Sequence, residues 1–238
     1  MLPTLFSQMP PFTPRPLTAA DVLYEDNHCL AVMKPARLLT AGDATGDVSL
    51  LELAKDYIRD RYQKPGAVFL GLVHRLDRPV SGVVLFARTS KAAARLSEEF
   101  RERRVAKAYQ ALVAGKGAPP AGELTDWLLK DAAENQSSVV PANTPGARPC
   151  RLQSKLLRKG PQAALLELHP ETGRSHQIRV QLASRGWPIL GDVKYGSQRR
   201  LGGVIALHAW QLTFTHPTRR EPVTVTAPLP PEWEEWLR

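Results

Sequence analysis

One nonapeptide, His74-Arg75-Leu76-Asp77-Arg78-Pro79-Val80-Ser81-Gly82, places a carboxylate between two guanidinium groups. Nearby Arg charge favours the ionised carboxylate. An anionic nucleophile or base in a cationic setting suits a polyanionic substrate. The same pattern also describes a solvated ion pair in a loop, which contributes little to stability. The segment joins two apolar runs, Phe69 to Val73 and Val83 to Ala87, whose Val, Leu and Phe content reads as buried strand. Pro79 and Gly82 keep the connection out of regular structure. Asp77 is therefore expected on a loop held by strands on both sides.

The chain has 238 residues, enough to bury a substantial core. Its net charge of +9, from 32 basic against 23 acidic residues, fits a polyanionic partner. No apolar run reaches the ~18 residues of a membrane span, and no basic amphipathic helix stands apart, so no membrane partner is expected. Cys29 and Cys150 are far apart, and two free thiols in a reducing, cytoplasmic setting are the simpler reading. The six histidines are scattered without ligand spacing, so no metal site is expected. The first 20 residues contain five prolines and no Asp or Glu. They lack the basic start and apolar core of a secretory signal and read as a flexible or extended leader. Residues 21–238 are read as a single domain, expected to be a monomer.

Hydrophobic periodicity supplies the elements. Val22 to Tyr24 and Cys29 to Met33, around Asp26-Asn27, read as a hairpin. Ser49-Leu50-Leu51-Glu52 has the form of a capping box, opening a helix to about Gln63. Thr89-Ser90 can cap a second helix running to about Arg104. Tyr109 to Val113 reads as a strand, whereas Gly115 to Pro149 looks loop-dominated with only Leu124 to Leu129 ordered. Arg151 to Leu157 and Ala163 to Leu168 form another hairpin, and Ser175 to Ser184 a short helix stopped by Gly186. Ile205 to Leu207, Leu212 to Thr215 and Val223 to Thr226 complete the strands. The fold class expected is α+β, a mixed, largely antiparallel central sheet flanked by helices and loops.

His74-Arg75-Leu76-Asp77 with Ser81-Gly82 resembles the catalytic motif of the RluA-type pseudouridine synthases. Other blocks follow in the order of that family: Val22-Leu23-Tyr24-Glu25-Asp26, Ala31-Val32-Met33-Lys34-Pro35, the run from Lys107-Ala108-Tyr109 to Gly115, Thr172-Gly173-Arg174-Ser175-His176-Gln177-Ile178-Arg179, Pro188-Ile189-Leu190-Gly191-Asp192, Tyr195-Gly196, Ala206-Leu207-His208-Ala209 and Phe214-Thr215-His216-Pro217. The resemblance implies an active cleft across the sheet and isomerisation of uridine in a tRNA or rRNA stem-loop, with no cofactor. The N1–C1′ bond breaks, the base rotates, and C5 joins the same sugar carbon. A non-catalytic RNA-folding protein that keeps the synthase fold is the alternative.

By resemblance, Asp77 supplies the carboxylate at the sugar, as nucleophile or as base. Arg174 pairs with it, a bidentate contact that fixes position and ionisation. Tyr109 stacks on the everted base. Arg75 fills the space left by that base or contacts phosphate, and His74 is placed at the substrate with it. Lys107 is a phosphate candidate beside the Tyr109 strand. Lys34 lies near the cleft or supports it. His176, Gln177 and Arg179 orient Arg174 or touch RNA. Ile205 and Leu207 wall the uracil pocket or simply pack. The sequence departs from the family at Val80, where Thr is usual, and at Met33 and Arg37, where Asn and Gly are usual. The 20-residue leader is short for the RNA-binding domain that many members of that family carry before the catalytic one, so none is expected.

Overall fold

Local capping chemistry decides where the first two α-helices begin. The computed structural model describes residues 12–238. Helix α1 spans Leu50–Arg61. Ser49 Oγ accepts from the Glu52 N–H and the Glu52 carboxylate accepts from the Ser49 N–H, so two otherwise orphaned donors are satisfied reciprocally. Its Leu50, Ala54 and Ile58 form the buried stripe. Helix α2, Ser90–Arg101, starts on the Thr89 hydroxyl, which accepts from the Ala92 N–H. It stops short of the expected Arg104 because Arg103 turns to a φ of 60°, outside the helical region. Helix α3, Gln177–Ala183, ends before Gly186, whose φ of 76° suits a glycine stop.

The strands are β1 (Val22–Glu25), β2 (Cys29–Lys34), β3 (Gly71–Leu72), β4 (Ser81–Ala87), β5 (Ala106–Val113), β6 (Gly122–Asp131), β7 (Gln136–Val140), β8 (Arg148–Lys159), β9 (Ala164–Pro170), β10 (Leu207–Thr215) and β11 (Pro222–Thr226). Their pairing is largely antiparallel, as the α+β reading expects.

The chain divides into two compact units. One comprises the described residues up to Lys107 together with Ala209–Pro228. Its strands run in the order β1-β2-β4-β10, with β3 on β4 and β11 on β10. Strand β4 is buried along its whole length. It packs with Cys29, Ala31, Ala92, Leu96, Leu212, Phe214 and Val225 into one apolar core. The other unit comprises Ala108–His208 and Leu229–Arg238. Its strand order is β5-β9-β8-β6-β7. Leu128, Cys150 and Val180 form a small core there, with Tyr195 against it.

Two sequence expectations are corrected. The run Phe69 to Val73 contributes only Gly71 and Leu72 to a strand, in register with Ala87 and Phe86, and Phe69 is 52% exposed. Of its apolar residues Leu70 is buried while Phe69 and Leu72 are exposed, and Gly71 lies so close to Ala93 of α2 that it has no room for a side chain. The 115–150 stretch is also far more ordered than its Gly, Pro and Asn content suggests. There β6 and β7 pair from Trp127↔Val140 to Asp131↔Gln136, and β6 pairs with β8 on its other side. Only Leu124 and Leu128 are buried in β6, so the alternation is too sparse to stand out.

Residues 1–11 of the expected leader lie outside the described residues. The remainder packs on the first unit. Arg15 grips Asp21 with bonds of 2.8 and 2.6 Å. The Arg37 guanidinium lies over the Phe12 ring at 5.6 Å. Pro16 and Leu17 share a surface groove with Leu53 and Tyr57 of α1.

Candidate active site

Asp77 lies in an irregular segment entering β4, and the backbone on both sides of it is pinned by side chains from the end of β2 and the turn after it. Thr40, 2% exposed, donates through Oγ1 to the Leu76 carbonyl at 2.8 Å and accepts from the Leu76 N–H at 3.1 Å. Lys34 is fully buried and donates to the carbonyls of Leu38 at 2.7 Å, Pro35 at 3.1 Å and Arg78 at 3.2 Å. Burial pushes the Lys34 ammonium down to about 7, against the opposing pull of the Asp77 charge. Arg37 N–H also donates to the Arg78 carbonyl at 2.8 Å, and Arg78 Nε returns a bond to the Arg37 carbonyl at 3.1 Å. The Arg78 guanidinium pairs with Asp47 at 2.6 Å. The Val80 N–H closes the turn on the Asp77 carbonyl at 3.0 Å.

His74 and Arg75 differ in setting. Arg75 is exposed. His74 Nε2 accepts from the Leu85 N–H at 2.9 Å, and its ring stacks on Phe100. Burial, then the Lys107 charge, pushes the imidazole down to about 3, so the ring is neutral. Burial and the Arg103 charge lower Lys107 in turn.

In the other unit, Gln177 organises the Arg174 turn. Its Oε1 accepts from the Thr172 hydroxyl at 2.7 Å and the Arg174 N–H at 3.1 Å, while Nε2 donates to the Arg151 carbonyl at 2.9 Å. Arg174 Nε donates to the Pro149 carbonyl at 3.1 Å. His176 adopts a φ of 53°, and its Nδ1 lies 2.8 Å from the Tyr195 hydroxyl. Arg179 is buried in a two-pronged ion pair with Asp192, at 2.7 and 2.8 Å, and lies 5.0 Å from the Tyr195 ring. Of the three residues, Gln177 bonds through its side chain within the turn that carries Arg174, whereas in these contacts His176 meets Tyr195 and Arg179 meets Asp192. Tyr109 is half-buried on β5, opposite Leu168 of β9, and Ile205 and Leu207 are each 4% exposed.

Thr40 and Tyr195 are the contributors with no role assigned from sequence. Thr40 carries one signal, a hydroxyl interrupting the apolar run Leu38-Leu39. Among the described residues one cluster, Asp26, Cys29 and His216, brings potential metal-ligand atoms within 4.8 Å of one another. These groups are already engaged. Asp26 accepts from His216 Nε2 and the Tyr24 hydroxyl, both at 2.7 Å, and from the backbone N–H groups of His28 and Cys29, both at 2.8 Å. Burial pushes the Cys29 thiol up to about 12, away from the thiolate a metal needs.

The family model for RNA pseudouridylate synthase matches residues 28–184. A ribosomal large subunit pseudouridine synthase C of Vibrio vulnificus is 36% identical over 222 residues, covering 90% of this chain and 67% of the relative. The chain belongs to the RluA-type RNA pseudouridine synthase family. An uncharacterized RNA pseudouridine synthase of Bacillus subtilis is 33% identical over 221 residues, 92% of this synthase and 71% of the relative. The structure of human RNA pseudouridylate synthase domain containing 4 superposes with a TM-score of 0.75 at 26% identity, covering 92% of each chain. Human RNA pseudouridylate synthase domain containing 1 gives 0.69 at 27% identity, over 87% of the synthase and 82% of that chain. Membership and fold together make this synthase an isomerase acting on uridine in RNA.

Proposed function

We propose that the synthase isomerises one or more uridines of ribosomal RNA, with Asp77 as the carboxylate acting at the ribose. The observation that carries this reading is the doubly pinned loop: the residues on either side of Asp77 are held at their backbone by Thr40 and Lys34. A reacting carboxylate gains rate from such pre-set geometry, whereas a solvated surface ion pair has no use for it. The ribosomal large subunit named in several relatives favours rRNA over tRNA.

During the reaction the N1–C1′ bond breaks and a C5–C1′ bond forms, with the proton on C5 lost and one gained at N1. Asp77 attacks C1′ or takes the 2′ proton. Tyr109 stacks on the uracil drawn out of its helix, replacing stacking worth ~1–3 kcal/mol per base. By resemblance, Arg174 of the Thr-Gly-Arg block is the candidate cation of the reaction. Arg75 and Lys107 serve the RNA backbone.

The test is incubation of transcribed large-subunit rRNA fragments with the protein, followed by carbodiimide tagging of pseudouridine. Asp77→Asn should abolish tagged product, a loss of at least about 10³-fold in rate, while RNA affinity stays within a few fold. Wild-type yield from Asp77→Asn rejects the assignment. Product in tRNA transcripts alone rejects the rRNA reading.

A further inference from the structure

We infer that Thr40 is a positioning residue for the Asp77 carboxylate; the inference rests on the reading of Asp77 above. The N–H and C=O of Leu76 are buried, one residue ahead of Asp77. One hydroxyl satisfies both, standing where a neighbouring strand would otherwise stand. Only a hydroxyl can give and take at one atom in this way. Thr40 is itself anchored. The Leu51 N–H, in the first turn of α1, donates to the Thr40 carbonyl at 3.1 Å, and the Leu50 N–H donates to that of Leu39 at 2.8 Å. Those are donors the helix leaves unpaired. A bridge between Leu39 and Ser49 ties the same segment to the α1 cap. A chain of hydrogen bonds therefore runs from the rigid start of α1, through Thr40, to the backbone that sets the direction of Asp77.

Thr40→Val keeps shape and removes the hydroxyl, leaving two buried backbone groups unpaired. Thr40→Ser keeps the hydroxyl. Single-turnover rates at saturating protein separate chemistry from binding. Thr40→Val should slow the step at least about tenfold while the RNA Kd moves by less than about threefold. Thr40→Ser should restore the rate to within about threefold of wild type. Equal losses in both variants, or a wild-type rate in Thr40→Val, overturn the inference. Hydrogen exchange of the Leu76 amide checks it without any variant: the wild-type amide should be strongly protected, and rapid exchange there overturns it as well. Asp77→Asn is run alongside. If it is inactive while Thr40→Val is normal, only the Thr40 inference fails. If Asp77→Asn is active, the reading of Asp77 fails and takes this inference with it.

Discussion

At His74 one nitrogen does the work of a strand partner. Nε2 accepts the Leu85 N–H, and the ring lies 4.6 Å from Phe100 between centroids, tilted by 16°. A proton on Nε2 would remove the acceptor and place a charge beside Lys107. The folded imidazole is accordingly pushed to about 3, below the ordinary value of 6.5. Between those values the unfolded chain binds a proton that the folded one refuses, so stability falls as pH drops from 6.5 towards 3. His74→Gln retains a carbonyl acceptor but does not titrate. It should cost about 1 kcal/mol at pH 7 through the lost ring stack, yet flatten the stability slope between pH 6.5 and 4. Urea unfolding at stepped pH measures this, and an unchanged slope rules it out. A neighbouring residue explains a departure from the family. Arg37 sits at a φ of 74°, a conformation that favours glycine. Its reciprocal backbone bonds with Arg78 and its place over Phe12 hold it there.

Strand β4 carries the tightest constraint among the elements around Asp77. Gly82 pairs with Lys34 of β2 at a φ of 122°. A Cβ on Gly82 would collide with the backbone of Ala209 in β10. Gly82→Ala must therefore force two strands apart or break the register, and should destabilise by more than about 3 kcal/mol. Chemical denaturation decides it: a loss under 1 kcal/mol would show that β10 yields easily. The sequence showed this glycine as punctuation and as part of the Ser81-Gly82 motif but not its steric role, because its close neighbour lies far along the chain. The same cause separates what could be read from what could not. The β1–β2 hairpin, the Ser49–Glu52 cap and the Thr89 cap are local, and their residues announce them. The β6–β7 hairpin is stabilised by β8, a partner no window along the sequence contains. Of the site, Asp77 and Arg174 stood out through motif order, whereas Thr40 acts on Leu76 from 36 residues away and left no more than a hydroxyl beside Leu38-Leu39.

For the whole molecule, charge is the property that acts on RNA before any contact forms. The synthase carries 32 Lys and Arg against 23 Asp and Glu. Many of the acids are consumed internally: Asp47 by Arg78, Asp126 by Arg185, Asp192 by Arg179, and Asp26 by Arg219 and His216. Acids neutralised within the protein repel phosphate little, so the net +9 acts as a surplus of cation towards RNA. Each phosphate neutralised by that surplus releases counterion, and binding weakens linearly in log[salt]. Engagement of roughly four phosphates gives a log–log slope of about −3 to −4. Fluorescence titration of a labelled rRNA stem-loop between 50 and 300 mM KCl, levels set by the experimenter and on the order of the range where such slopes are read, measures it. Asp77→Asn should show the same slope as wild type, since phosphate contacts and the chemical step are separate functions. A flat response in both would mean that recognition rests on stacking and base edges. The basic surplus would then serve the protein's solubility rather than its hold on RNA.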